Sequence, residues 1–174
     1  METKAVGKRA VYWLRQAVQT ALLLLLVSLA VDWWRKPAQP QRFAGQGLDI
    51  VNGGQTTLTA LSSGRTAAVY FWGSWCGICK HTSPAVQRLH EAGIPVLGVA
   101  MHSGSAQEVA AYMQENGLSF DTVNDPQGRI SRRWQVAVTP TVVLVKNGRM
   151  IHSTTGIGSY WGLRGRIWMA DKVY

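Results

Sequence analysis

Between Ala67 and Leu89 the chain reads AAVYFWGSWCGICKHTSPAVQRL, and this stretch leaves few folds open. An apolar run rich in β-formers, Val69-Tyr70-Phe71-Trp72, stops at Gly73-Ser74. The chain's two cysteines follow at once, as Trp75-Cys76-Gly77-Ile78-Cys79. The pattern is that of a buried strand running into a helix whose first turn carries a C-x-x-C pair. Two intervening residues let both thiols sit on one helical turn, close enough to close a small disulfide ring with little backbone movement. The first thiol then lies at the helix N-terminus, where unpaired N–H groups and the helix dipole favour thiolate over thiol. Cys76 therefore reads as the nucleophile and Cys79, one turn deeper, as the resolving thiol. Pro84 falls inside the same helix, where a lost hydrogen bond and a ring clash cost about 3 kcal/mol; a kink after the second turn is expected.

Two cysteines in a single C-x-x-C exclude a disulfide-stapled scaffold and a four-thiol zinc site. A mixed zinc or copper site using His81 or His102 would have no second ligand pair at metal spacing. Covalent haem attachment requires histidine directly after the second cysteine, where Lys80 stands. Thiol–disulfide exchange needs no cofactor: a thiolate attacks a disulfide, and the second thiol resolves the mixed disulfide.

The net charge of +9 and pI near 10.1 raise the question of nucleic acid, so the location of the charge matters more than its sum. Residues 1–42 carry a net +5, which leaves +4 for the remaining 132 residues of a 174-residue chain. The basicity is mostly a topology signal. No recognised nucleic-acid motif accompanies Arg132-Arg133 or Arg164 and Arg166, and no nucleic-acid partner is expected.

Residues 1–15 are basic (Lys4, Lys8, Arg9, Arg15) and residues 16–36 read as a transmembrane anchor. Its centre is the unbroken run Leu22–Val27, and aromatics bracket it at Tyr12-Trp13 and Trp33-Trp34. A helix from Trp13 to Trp34 spans roughly 30 Å, the thickness of a bilayer's hydrocarbon layer, and tryptophans belong at both interfaces of such a span. More positive charge before the run than after it places the N-terminus in the cytoplasm and the rest outside, in a bacterium the periplasm. Ser28-Leu29-Ala30 is also a passable small-x-small site behind a basic segment, so a cleaved signal peptide is the rival reading; the paired tryptophans beyond it favour an uncleaved anchor of the inner membrane. Residues 37–46, PAQPQRFAGQ, lack periodicity and read as a tether, leaving 47–174 as one folded domain.

Within that domain Leu48–Val51 and Thr56–Leu61, separated by Asn52-Gly53-Gly54, read as a short hairpin. Ile94–Ala100 is a second buried strand. Ser105-Ala106-Gln107-Glu108 fits a capping box that opens a helix to about Asn116, closed by Gly117. Phe120–Val123 is a short strand, and Asp125-Pro126 should start a helix with Asp as cap and Pro at its first position. Val142–Val145 reads as a central strand, and Asn147-Gly148 turns it into Met150–Thr154. Ser159 caps a last helix holding Trp161, Leu163, Ile167 and Trp168, although Gly162 and Gly165 weaken it.

Trp-Cys-Gly-Ile-Cys-Lys, a proline five residues after the second cysteine, and Thr139-Pro140 some sixty residues downstream resemble the thioredoxin superfamily. The N-terminal apolar segment and the run Asn124-Asp125-Pro126-Gln127-Gly128-Arg129-Ile130 resemble its membrane-tethered, TlpA-like branch of protein disulfide oxidoreductases, most of all the suppressor-of-copper-sensitivity protein D type. The resemblance covers roughly Gly47 to Asp171. It implies an α/β thioredoxin-like fold, a central mixed sheet flanked by helices, preceded by the transmembrane helix. It also implies a redox-active disulfide Cys76–Cys79, a cis Thr139–Pro140 bond beside it, the Thr139 backbone offered to a bound peptide as a short strand partner, and Trp75 shielding one side of the Cys76 sulfur. The implied substrates are protein disulfides or oxidised cysteines, with electrons from a membrane transporter of the DsbD kind. Two departures stand out: thioredoxin's buried aspartate six residues before the first cysteine is Tyr70 here, and the glutamate that many TlpA-like reductases carry three after the second is Thr82. Neither acid is available as a general base. Gly77-Ile78 lacks the histidine that strongly oxidising sites place between the cysteines, which favours reduction; a disulfide-forming oxidant, a copper- or zinc-binding thiol protein in metal tolerance, and a non-catalytic binding module are the alternatives.

Overall fold

The computed structural model describes residues 12–23, 26, 27, 30 and 37–173. The chain divides into two units, residues 1–35 and 36–174. In the first, residues 12–23 are helical (α1), with Tyr12 and Trp13 edge to face at 5.9 Å and Leu14, Val18, Leu22 and Leu23 exposed. Much of the expected 16–36 anchor, Trp33-Trp34 included, lies outside the described residues, as does the basic stretch before Tyr12. Among the described residues no helix is long and apolar enough to cross a membrane.

The second unit runs β1 (Leu48–Asp49), β2 (Gln55–Thr56), α2 (Leu58–Leu61), β3 (Ala67–Trp72), α3 (Cys79–Glu91), β4 (Val96–Met101), α4 (Ala106–Glu115), β5 (Asp121–Asp125), α5 (Arg129–Arg133), β6 (Thr141–Lys146), β7 (Arg149–Thr155) and α6 (Tyr160–Val173). Five strands form one mixed sheet in the order β5-β4-β3-β6-β7; β3, β4 and β5 are parallel, while β6 and β7 complete it antiparallel. This is the α/β architecture, a mixed central sheet flanked by helices, that the resemblance implies. Every residue of β3 is buried, because both faces of the sheet are covered, and a strand in that position reads as an unbroken apolar run. Its side chains still alternate. Ala68, Tyr70 and Trp72 join a core with Val86 and Leu89 of α3, Val109 and Met113 of α4, and Leu163 and Ile167 of α6. Val69 and Phe71 enter the opposite core with Phe43, Leu58 and Trp134.

Several elements differ from the sequence reading for identifiable reasons. The first hairpin pairs only Leu48 with Thr56 and Asp49 with Gln55, because the Thr57 hydroxyl caps a helix by accepting the Ala60 N–H at 3.1 Å and turns Leu58–Leu61 helical. Asp125 does cap α5, but from four residues before it: its carboxylate accepts the Ile130 N–H, the Ser131 N–H and the Ser131 hydroxyl at 3.1, 2.9 and 2.6 Å. Gly128, at φ 65°, makes the reversal that lets one buried carboxylate do this; Pro126 is accordingly not the first helical residue. The stretch 37–46 is not a free tether. Ala38 N–H donates to the Trp134 carbonyl at 2.9 Å, the Gln39 amide bonds both Gly148 O and Met150 N–H, and Phe43, 2 % exposed, packs edge-on against the Trp134 ring at 5.3 Å. A buried aromatic together with these hydrogen bonds fastens the segment. The capping box of α4 and the Ser159 cap of α6 form as expected. So does the Asn147-Gly148 turn, both residues at positive φ.

Glycine at 98 on β4 has no room to spare. A Cβ there would meet the Thr122 hydroxyl, Phe120 at 2.9 Å and the Trp72 indole nitrogen at 2.9 Å, whereas at Gly165 on α6 it would meet nothing within 4 Å. In urea denaturation of the protein, Gly98→Ala is expected to lower stability by about 1–3 kcal/mol through overpacking. Gly165→Ala in the same assay should raise it by about 0.5–1 kcal/mol, the helix-propensity difference; equal effects of the two would refute the packing described.

Candidate active site

The register of β3 gathers the site. Pairing of Phe71 with Thr141 across the antiparallel β3–β6 edge sets the chain just before Thr141 beside the chain just after Trp72. On the other edge Trp72 pairs with Ala100, which brings Met101 to Ser103 to the same end. Thr141 in turn pairs with Thr155, so the residues leaving β7 arrive there too. The carboxyl ends of parallel strands beside a reversal of strand order are where α/β sheets place their sites.

Cys76 and Cys79 are joined as a disulfide with Cα atoms 5.2 Å apart. The helix opens at Cys79 rather than Cys76: the preceding turn is closed by the Cys76 N–H to the Gly73 carbonyl at 3.1 Å and the Cys79 N–H to the Cys76 carbonyl at 3.0 Å, tighter than α-helical spacing. Cys76 therefore precedes α3 by one turn instead of sitting in it. The electrostatic consequence survives the shift, since the Cys79 N–H also points at Cys76 Sγ, 3.2 Å away, and an amide at a helix start stabilises negative charge on that sulfur. Burial ranks the pair: Cys76 is 6 % exposed and Cys79 1 %, so an incoming group reaches Cys76 first.

Around them the loop is pinned by contacts that the sequence did not reveal. The Trp75 indole N–H donates to the Met101 carbonyl at 3.0 Å, with its ring over Gly73, where a Cβ would come within 2.7 Å. The Ser74 N–H donates to the Ser103 hydroxyl at 3.0 Å, and that hydroxyl donates to Met101 O at 3.0 Å. Ser103 belongs to no motif; only the sheet register brings it here. The Thr139–Pro140 bond is cis, and Thr139 lines a surface depression of about 290 Å³ with Trp75, Met101, Ala137 and Val138. Of its lining, Trp75 is 60 % exposed; Ile78, between the cysteines, is 49 % exposed, and Ile157, just beyond β7, is exposed as well. Lys80 and His81 are exposed on the first turn of α3.

The two positions where acids might have stood hold neutral hydroxyls. Tyr70 is fully buried, its phenol 2.9 Å from the Ser83 hydroxyl and 3.5 Å from the Cys79 carbonyl. Burial pushes its pKa well above the ordinary phenol value, so it stays protonated at neutral pH and is no base. The Thr82 hydroxyl, also buried, accepts the Gly158 N–H at 3.3 Å and so ties the start of α3 to the approach of α6. Trp72 is a core residue, stacked on Tyr112 at 5.5 Å.

Residues 40–154 match the model of the AhpC/TSA family. A "Thioredoxin-like protein" of Haemophilus influenzae is 38 % identical over 158 residues, covering 91 % of this chain and 95 % of that protein. The "Thiol:disulfide interchange protein DsbE homolog" of Paracoccus denitrificans is 32 % identical over 90 residues, about half of each chain. Among solved structures, a secreted Mycobacterium tuberculosis disulfide oxidoreductase homologous to E. coli DsbE superposes with a TM-score of 0.62 at 22 % identity, covering 74 % of this chain and 98 % of that one; at that identity the likeness speaks for the fold. With a matched region that contains the cysteine pair, the cis proline and all five strands of the sheet up to Thr154, the chain belongs to the AhpC/TSA family, as a thioredoxin-like protein.

Proposed function

We propose that this chain is a membrane-anchored, periplasmic thiol–disulfide oxidoreductase working in the reducing direction on protein disulfides or oxidised cysteines. Its enzyme class is that of a thioredoxin-like protein-disulfide oxidoreductase. The observation that carries the reading is the Cys76–Cys79 disulfide with an amide N–H aimed at the outer sulfur. In the reduced enzyme the Cys76 thiolate attacks one sulfur of a substrate disulfide; a Cys76–substrate S–S bond forms, the substrate S–S bond breaks and the other substrate sulfur leaves as thiolate. Cys79 then attacks Cys76 Sγ, restoring the structure's disulfide and releasing the second substrate sulfur, so that two electrons pass from enzyme to substrate. The depression lined by Trp75, Met101, Ala137, Val138 and Thr139 suits a peptide segment, and the Thr139 backbone supplies a strand partner for it. Re-reduction requires a dithiol donor, on this reading a membrane electron transporter of the DsbD kind.

Support for the anchor is the basic-then-apolar order of residues 1–31 and the exposure of Leu22, Leu23, Leu26 and Val27, which need a nonaqueous cover. Since the folded unit has already begun at Pro37, only residues 32–36 separate the apolar run from it.

Cys79→Ala should stall the mixed disulfide, accumulating covalent adducts on Cys76 and cutting turnover of a disulfide substrate such as insulin on the order of a hundredfold or more. A reduction potential near thioredoxin's about −270 mV supports the reducing direction, and one near DsbA's about −120 mV overturns it. In a bacterial host, the full chain should resist extraction from membranes by alkaline carbonate; a soluble product whose N-terminus lies near Val31 would show instead that the segment is cleaved.

A further inference from the structure

Helix α6 is apolar on two opposite sides. Leu163, Ile167 and Ala170 are buried in the core, which accounts for one. On the other, Trp161 and Trp168 are 72 % and 63 % exposed, with exposed Met169 beside them. At 3.6 residues per turn the outward stripe runs Trp161, Gly165, Trp168, Lys172. Gly165 lies between the two indoles, where interior packing does not require a glycine; its effect is to leave both rings uncovered. Two indoles exposed on one helix stripe form an apolar surface that water does not satisfy.

The charge of this surface says what the cover is. Arg164, Arg166 and Lys172 are the ionisable groups of α6 apart from Asp171 and the Tyr160 phenol, and Asp171 is committed elsewhere: its carboxylate accepts the Thr66 N–H at 2.9 Å and the Thr66 hydroxyl at 2.6 Å and pairs with Lys146 at 3.8 Å. Arg164 and Lys172 are exposed. Two indoles, the neighbouring Met169 and exposed cations, with the helix's one carboxylate turned to other partners, match the requirements of an anionic bilayer surface: indoles at headgroup depth, cations on lipid phosphates. A neutral protein groove would leave the cations unanswered, and nucleic acid would leave the apolar pair in water. We propose that the outer face of α6 docks on an anionic membrane surface. Every residue of this face belongs to the second unit.

The test uses the full chain in vesicles of phosphatidylcholine with brominated acyl chains, with or without about a third phosphatidylglycerol. The emission difference between the wild type and W161F/W168F isolates the two exposed indoles. That difference signal should be quenched about twofold in the anionic vesicles and be recovered in roughly 0.5 M salt. R164E/K172E should weaken the anionic-lipid effect on the order of tenfold or more while keeping insulin-disulfide turnover, which reports an intact fold. An unquenched difference signal, or equal quenching with and without phosphatidylglycerol, overturns the proposal. So does a sedimenting dimer, or retention on nucleic acid, that W161F/W168F abolishes. Flotation of the chain with vesicles at high salt reads the anchor separately, so loss of one result does not imply loss of the other.

Discussion

Strand β3 has a paired neighbour on each edge and a covered sheet face on each side, and the rest of the structure takes its position from that constraint. Because β4 lies parallel on one edge and β6 antiparallel on the other, three loops distant in sequence end at the same place, just beyond Trp72. A slip of one residue in the β3–β6 pairing would turn Tyr70 and Trp72 into the opposite core and move Thr139-Pro140 off the cysteine loop. Both cores resist such a slip, since each is packed with aromatic side chains from β3 itself.

At that place the chemistry rests on the contrast between two sulfurs three residues apart. Cys76 has an amide N–H directed at it and the greater access; Cys79 lies deeper, beside neutral hydroxyl-bearing neighbours. The phenol of Tyr70 and the hydroxyl of Thr82 hold backbone and helix start in place, where carboxylates would have offered proton acceptors. Positioning and proton transfer are therefore separated in this site: these two residues supply the first, and a proton acceptor for Cys79 has to come from water, the substrate's departing sulfur or another residue of the fold.

The parts legible in the sequence were those whose signal is local. The apolar run into C-x-x-C, the capping box at Ser105 and Glu108, the Asn147-Gly148 turn and the Ser159 cap each depend on a few consecutive residues, and each formed. Thr139-Pro140 was found through the resemblance, because spacing alone says nothing of which bond is cis. What escaped was nonlocal. Ser103 reaches Ser74 only through the β3–β4 register, Phe43 is fastened by Trp134, ninety-one positions on, and Asp125 caps a helix across an intervening left-handed glycine. The missed turn from strand to helix at Thr57 was local, but a four-residue helix carries too little periodicity to outweigh a hairpin pattern.

In helix α6 tertiary burial overrides propensity. Gly162 and Gly165 cost about 1 kcal/mol each relative to alanine, yet the helix runs from Tyr160 to Val173 because Leu163, Ile167 and Ala170 are buried against the sheet and α3. Its start is bound to the active-site helix twice over, by the Gly158 N–H on the Thr82 hydroxyl and by the Arg88 guanidinium 4.2 Å above the Tyr160 ring. The start of α6 is thus joined to the helix that carries Cys79, while the outer face presents tryptophans and cations. Were the outer face held on a membrane as proposed, these contacts would carry its orientation to α3 and to the Cys79 that opens it.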